Sequence, residues 1–165
     1  MIKQNSFRRF VLSLGATIVI LFTIFVIVTQ SHLVKTFVFG FDEDEIERVL
    51  VIKAQTGDHK FTYELADDED EQARGLMHRK TLDQDHGMLF LYSDEKERFM
   101  WMKNTYISLD MLFIDAKGTV VHIQRNVQPL SDDIITSKFP VAAVFEINGG
   151  YARNLGLFEG DKVEW

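Results

Sequence analysis

Hydrophobic residues are arranged along this chain in two regimes. Residues 10–29 read FVLSLGATIVILFTIFVIVT, twenty positions without a charge, whereas beyond residue 46 apolar positions recur in short runs separated by polar and turn-forming residues. At about 1.5 Å per helical residue the first run covers roughly 30 Å, the thickness of a bilayer's hydrocarbon core. It predicts one transmembrane helix over residues 10–29. A cleaved signal peptide would need a shorter apolar region and a small-residue cleavage site, and Val28-Thr29-Gln30-Ser31-His32 offers no such pattern.

The second regime is mostly strand. Residues 46–54, 60–65, 87–92, 98–104, 109–115, 119–125, 141–147 and 162–165 are rich in β-branched and aromatic side chains. Asp115-Ala116-Lys117-Gly118 is the clearest hairpin turn, joining Leu109, Met111 and Phe113 to Val121 and Ile123 as alternating rows. One helix is predicted over residues 67–79, because it opens on Asp67-Asp68-Glu69-Asp70-Glu71 and closes on Arg74, His78, Arg79 and Lys80, charges that oppose the helix dipole at both ends. Its buried stripe would be Leu65, Ala73, Leu76 and Met77. One long connection, residues 126–140, has no clear periodicity, and within it Ile134 and Ile135 could dock as an apolar lid. Residues 151–155 predict a single helical turn ending at Gly156. Many short strands with one main helix predict a compact antiparallel sandwich or partly closed barrel over residues 46–165.

Charge sharpens the division. Residues 1–30 hold Lys3, Arg8 and Arg9 and no acid, leaving 15 basic and 25 acidic groups, a net −10, on residues 31–165. With basic residues before the span and Asp42-Glu43-Asp44-Glu45 after it, the positive-inside rule places residues 1–9 in the cytoplasm and residues 30–165 outside it. Residues 30–45 then form a juxtamembrane linker, with Phe37, Phe39 and Phe41 available to the headgroup level. The chain's net charge of −7 argues against nucleic acid as a partner. The absence of cysteine excludes disulfides, thiolate metal centres and a catalytic thiol.

A series of short motifs runs through the second regime: Arg74-Gly75-Leu76-Met77-His78-Arg79, Gly87-Met88-Leu89-Phe90, Trp101-Met102-Lys103-Asn104-Thr105, Leu109-Asp110, Phe113-Ile114-Asp115, Gly149-Gly150 and Gly160-Asp161-Lys162-Val163. Together they resemble the domain-of-unknown-function 192 family from about residue 47 onward. The resemblance implies a mainly β, jelly-roll-like fold, often behind a signal or anchor, with no established activity. Ser108 stands where the family commonly has proline.

The residues themselves nominate a ligand-binding region. Arg74 and Arg79 flank the end of the predicted helix, and Trp101, Lys103 and Asn104 end a predicted strand. Arginine offers a planar fork for carboxylate or phosphate, and tryptophan a flat apolar surface. Asp110 interrupts an apolar strand and so needs a partner or a cleft, and Glu146 is grouped with it as a candidate ligand-binding acid. The competing reading makes Arg74 the buried ion-pair partner of Asp110 or Glu146 and puts Trp101 in the core. Hydrolysis of envelope glycans or another polar substrate by Asp110 and Glu146 is the enzymatic alternative, although no nucleophile elbow, zinc-protease motif, phosphate loop or calcium loop is present. Asp67-Asp68-Glu69-Asp70-Glu71 is read as a solvated helix cap. Of six methionines, five fall between residues 77 and 111, near His78 and His86; Met100 and Met102 share a strand face, which favours core packing over a copper(I) site. No cofactor is implied. The expected partners are the membrane and a small polar ligand or an envelope protein.

The orientation has a direct check. A reporter active only outside the cytoplasm, fused after Trp165, is expected to be active, and moving Arg8 and Arg9 beyond the span to weaken that signal. Activity of a cytoplasm-only reporter at the same position would refute the assignment.

Overall fold

The structure, a computed structural model, describes residues 48–165; the predicted span and linker lie outside the described residues. Among the described residues no helix is long and apolar enough to cross a membrane. The elements follow the order β1 (Val49–Ala54), β2 (Gly57–Ala66), α1 (Glu69–Arg74), β3 (His86–Lys96), β4 (Phe99–Met100), β5 (Leu109–Ile114), β6 (Val120–Val127), β7 (Ile135–Thr136), β8 (Val141–Asn148), α2 (Tyr151–Asn154) and β9 (Lys162–Glu164).

Seven strands form one sheet in the order β6-β5-β8-β3-β2-β1-β9, while β4 and β7 pair as a separate ribbon. The sheet is mainly antiparallel, as expected, with one exception. β2 and β3 run parallel, from Thr62↔His86 to Ala66↔Phe90, because α1 and the segment after it carry the chain back before β3 enters beside β2. The sheet curls as a half-barrel until its two edges approach: Thr119 bridges Lys162, and the Val163 amide donates to the Gly118 carbonyl at 2.8 Å.

Curling gives the sheet two buried faces. The inner one gathers Leu50, Ile52, Phe61, Leu89, Leu112, Phe145 and Ile147 with Ala152 of α2. On the outer face, Met88, Phe90, Met111, Phe113 and Val144 lie beneath Leu76, Met100 and Met102. All six residues of β5 are therefore buried, in keeping with its apolar sequence and including Asp110. At about 25 cal/mol per Å² of apolar area, burial on both faces makes such a strand a principal source of stability.

Two predicted elements are much shorter than their patterns. The helix spans Glu69–Arg74, with the Asp68 carboxylate accepting from the Glu71 amide at 2.7 Å. It ends at Gly75, whose φ of 46° suits glycine and where a Cβ would lie 3.0 Å from the Phe90 ring. Of its expected stripe only Leu76 is fully buried, and Ala73 is exposed. The predicted strand over 98–104 shrinks to β4, since its partner β7 offers only Ile135 and Thr136. β7 is the stretch of the long connection that forms a strand of its own: Ile135 packs on the outer core, while Ile134 is exposed.

Asp110 fastens the inner face. Fully buried, its carboxylate accepts from the amides of Asn126 (2.6 Å), Gly150 (3.0 Å) and Ala152 (2.7 Å), so one side chain joins β5 to the end of β6 and the start of α2. No arginine pairs with it among the described residues. Charge-assisted hydrogen bonds are roughly twice as strong as neutral ones. Asp110→Asn is accordingly expected to lower stability by about 3 kcal/mol in a thermal or denaturant melt; a change below about 1 kcal/mol would show that the three amides need no carboxylate.

Candidate functional site

On the outer face, β8 lies between β3 and β5, in register Met88↔Glu146 and Met111↔Glu146. Glu146 is thus set between two methionines, on the same face as Phe90 and Tyr92 two and four residues along β3 from Met88. Above it the sheet is incompletely covered. α1 and its terminal turn, carrying Arg74 and Leu76, form one wall; the β3–β4 connection and β4, carrying Arg98, Met100 and Trp101, form the other. Between them is a cavity of about 480 Å³ with Glu146, Phe90 and Tyr92 among its lining residues.

Glu146 is only 4% exposed and its carboxyl makes no hydrogen bond among the described residues; its oxygens are not among the side-chain atoms sealed off without a partner, and the residue borders the cavity. Burial disfavours the charged form and pushes its pKa up to about 8. Burial likewise pushes Tyr92 up to about 12, and its hydroxyl contacts the Met100 sulfur at 3.8 Å. Arg98 lies over the Tyr92 ring, 3.8 Å from the centroid, and its Nη2 donates to the Asp94 carbonyl at 2.6 Å and to the Asp94 carboxylate. Lys96 reaches the same carboxylate at 3.2 Å, and hydrogen bonds from Arg98 and Lys96 hold Asp94 below its usual range. The Nε of Arg98 is buried without a partner among the described residues.

The nominated residues divide by position. Arg74, Trp101 and Glu146 line the cavity together. Arg74 is exposed and makes no ion pair among the described residues, and Trp101 is 47% exposed, so neither the buried Arg74 pair nor the core tryptophan is found. Arg79 instead pairs with Glu64, which also meets His86 at 3.1 Å. Lys103 and Asn104 occupy an exposed turn outside the cavity lining, where Asn104 has a φ of 56° and accepts from the His78 amide at 2.8 Å. Asp110 is register partner to Ile147 and Glu146 to Met111, so the two acids leave the sheet on opposite faces. They cannot flank one substrate, and the two-carboxylate hydrolase reading falls with that geometry. Met100 and Met102 are buried in the outer core, as their shared face predicted.

Phe90, Tyr92, Met100 and Arg98 were not nominated from the sequence. Their spacing holds the signal only in part: Met88, Phe90 and Tyr92 alternate on one face, but that Glu146 joins them follows from the non-local pairing of β3 with β8.

Fold and site together define a small curled β domain whose outer face carries a partly covered cavity with one buried acid at its base. Residues 51–165 match the family model DUF192, described as Uncharacterized ACR, and the chain belongs to that family. Two solved structures are similar. A putative transcription regulator from Sinorhizobium meliloti 1021 is 44% identical over 70% of this chain and 91% of its own, with a TM-score of 0.69. A protein of unknown function from Novosphingobium aromaticivorans DSM 12444 is 39% identical over 72% of this chain and 85% of its own, with a TM-score of 0.71. No curated protein matches the chain.

The raised pKa of Glu146 has a measurable consequence. Because the folded state retains a proton that the unfolded chain gives up near the ordinary value of 4.5, the neutral acid's full stability is present below that value and is lost as pH rises towards about 8. Glu146→Gln is expected to flatten this dependence and to be the more stable form at pH 8.5, by at most roughly 5 kcal/mol. Denaturant melts of both forms at pH 5 and pH 8.5 test it; parallel pH profiles would mean that Glu146 ionises freely in the fold.

Proposed function

We propose that the domain is a binding module for a small ligand, which enters the cavity between α1 and β4 and is held by Glu146 with Arg74 and Trp101 at the rim. The observation that carries this reading is the buried carboxyl of Glu146, which lacks a partner among the described residues and borders a cavity. Polar groups with so little exposure are normally hydrogen-bonded within the protein, so an acid at a cavity wall that makes no such bond among the described residues fits a group kept for a ligand. Phe90, Leu76 and Met100 supply apolar surface, the usual composition of a small-molecule site. The ligand accordingly has an apolar body as well as a polar end. We further propose that residues 10–29 anchor the domain in the cell membrane and that it works outside the cytoplasm, on the strength of the uncharged run and the asymmetry of charge around it.

A second reading, docking of an envelope protein, is favoured by the exposed Phe99, Ile134 and Phe139 on and beside the β4/β7 ribbon. Benzyl alcohol separates the two. With methionine methyls labelled in the full chain, its titration is expected to shift Met77 and Met100, which line the cavity, in a saturable way and to leave buried Met102 unmoved; Trp101→Ala weakens the binding. Failure of benzyl alcohol and similar apolar fragments to produce a saturable shift at Met77 and Met100 would reject the ligand site.

A further inference from the structure

We infer that the cavity's occupant is an amphipathic amine, an apolar ring or chain bearing one ammonium group that becomes the missing partner of Glu146. This rests on the reading of the cavity as a ligand site and adds what the ligand carries. Three kinds of group can meet a buried carboxyl: a neutral donor, an anion or a cation. An anion at the base of the cavity would need a balancing cation. Lys96 and Arg98 already share Asp94, which leaves Arg98 a single unpartnered nitrogen, Nε, with its charge already offset, and Arg74 is exposed at the rim, where it keeps its hydration. A neutral donor satisfies one oxygen and leaves the acid as it was. An ammonium ionises the carboxyl and replaces a lone buried acid with a hydrogen-bonded ion pair, the arrangement in which buried charges are tolerated.

The surroundings point the same way. The charged and titratable groups facing the cavity with Glu146 are Glu69 and Arg74 from α1, Tyr92 and Lys96 from β3, and Glu97 and Arg98 from the β3–β4 connection. With Glu146 ionised, acids and bases around the cavity balance, and a bound ammonium adds a single charge against the carboxylate it meets. Phe90 and Trp101 line the same space, and aromatic faces attract cations. The volume of about 480 Å³ accepts a single ring with a short arm. In the bound state the Glu146 carboxyl gives its proton to solvent, and the ammonium keeps all of its own.

Benzylamine, benzyl alcohol and benzoate make a matched probe set, titrated calorimetrically into the full chain in nonionic detergent with protein-free micelles as blank. Benzylamine is expected to bind at least ten times more tightly than benzyl alcohol at pH 7, with benzoate weakest. Each bound benzylamine should release close to one proton, read from the difference in heat between buffers of unlike ionisation enthalpy. Its affinity should rise by about tenfold per pH unit from pH 5 to pH 7, one proton being released per ligand, and level off above pH 8. Glu146→Gln is expected to remove the proton release, the pH slope and the preference for the amine while benzyl alcohol still binds. Proton release is read on the unaltered chain, so the test does not depend on the variant folding. Benzylamine binding no tighter than benzyl alcohol, or binding without proton release, overturns the amine and leaves the ligand site standing; if none of the three binds, the ligand site fails as well.

Discussion

The strand pair β5 and β8 has a packed core on each side, and this constraint shapes the rest of the molecule. A polar side chain on either strand must find its partner on the face where the pleat puts it, because water reaches neither face freely. Asp110 and Glu146 meet that demand in opposite ways. Asp110 faces the inner core and is satisfied by three amides drawn from two other elements, which makes it a fastening of the fold. Glu146 faces the outer core, between Met88 and Met111, and has no partner among the described residues. One register step separates a structural acid from an acid left for something else.

Much of the fold was legible because local pattern governs it. The Asp115–Gly118 turn forms as its residues require, with Asp115 Oδ1 accepting from the Lys117 and Thr119 amides at 2.9 and 2.8 Å, and most strands fall where β-branched and aromatic runs placed them. What escaped the sequence was non-local. The parallel β2/β3 pair depends on the path of the chain through α1, and β4 is short because β7 is short. The charge pattern continues past Gly75, but the close approach of Phe90 there ends the helix.

The site was legible to a similar degree. Arg74, Trp101 and Glu146 do line one cavity, whereas Asp110, which the sequence offers either to that site or to Arg74, belongs to neither. Backbone amides are its partners, and two of the three become available only when α2 is in place. The cavity walls come almost entirely from residues 69–105, so a single stretch of chain builds them and β8 contributes only Glu146. Cavity shape can therefore change through that stretch while the acid and the inner core stay fixed.

The contact between the two edges of the sheet bears on how the domain behaves among copies of itself. An open edge presents a row of unpaired amides and carbonyls that a neighbouring chain can extend. Here β9, only three residues long, is paired to β1 on one side, and the bonds from Val120 to Asp161 and from Val163 to Gly118 turn its other side into a seam with the start of β6. Strand addition is blocked along that seam. The far half of β6 is the stretch of edge the seam leaves uncovered, and there Arg125 and Asn126 interrupt the apolar pattern with polar side chains that discourage stacking into fibres.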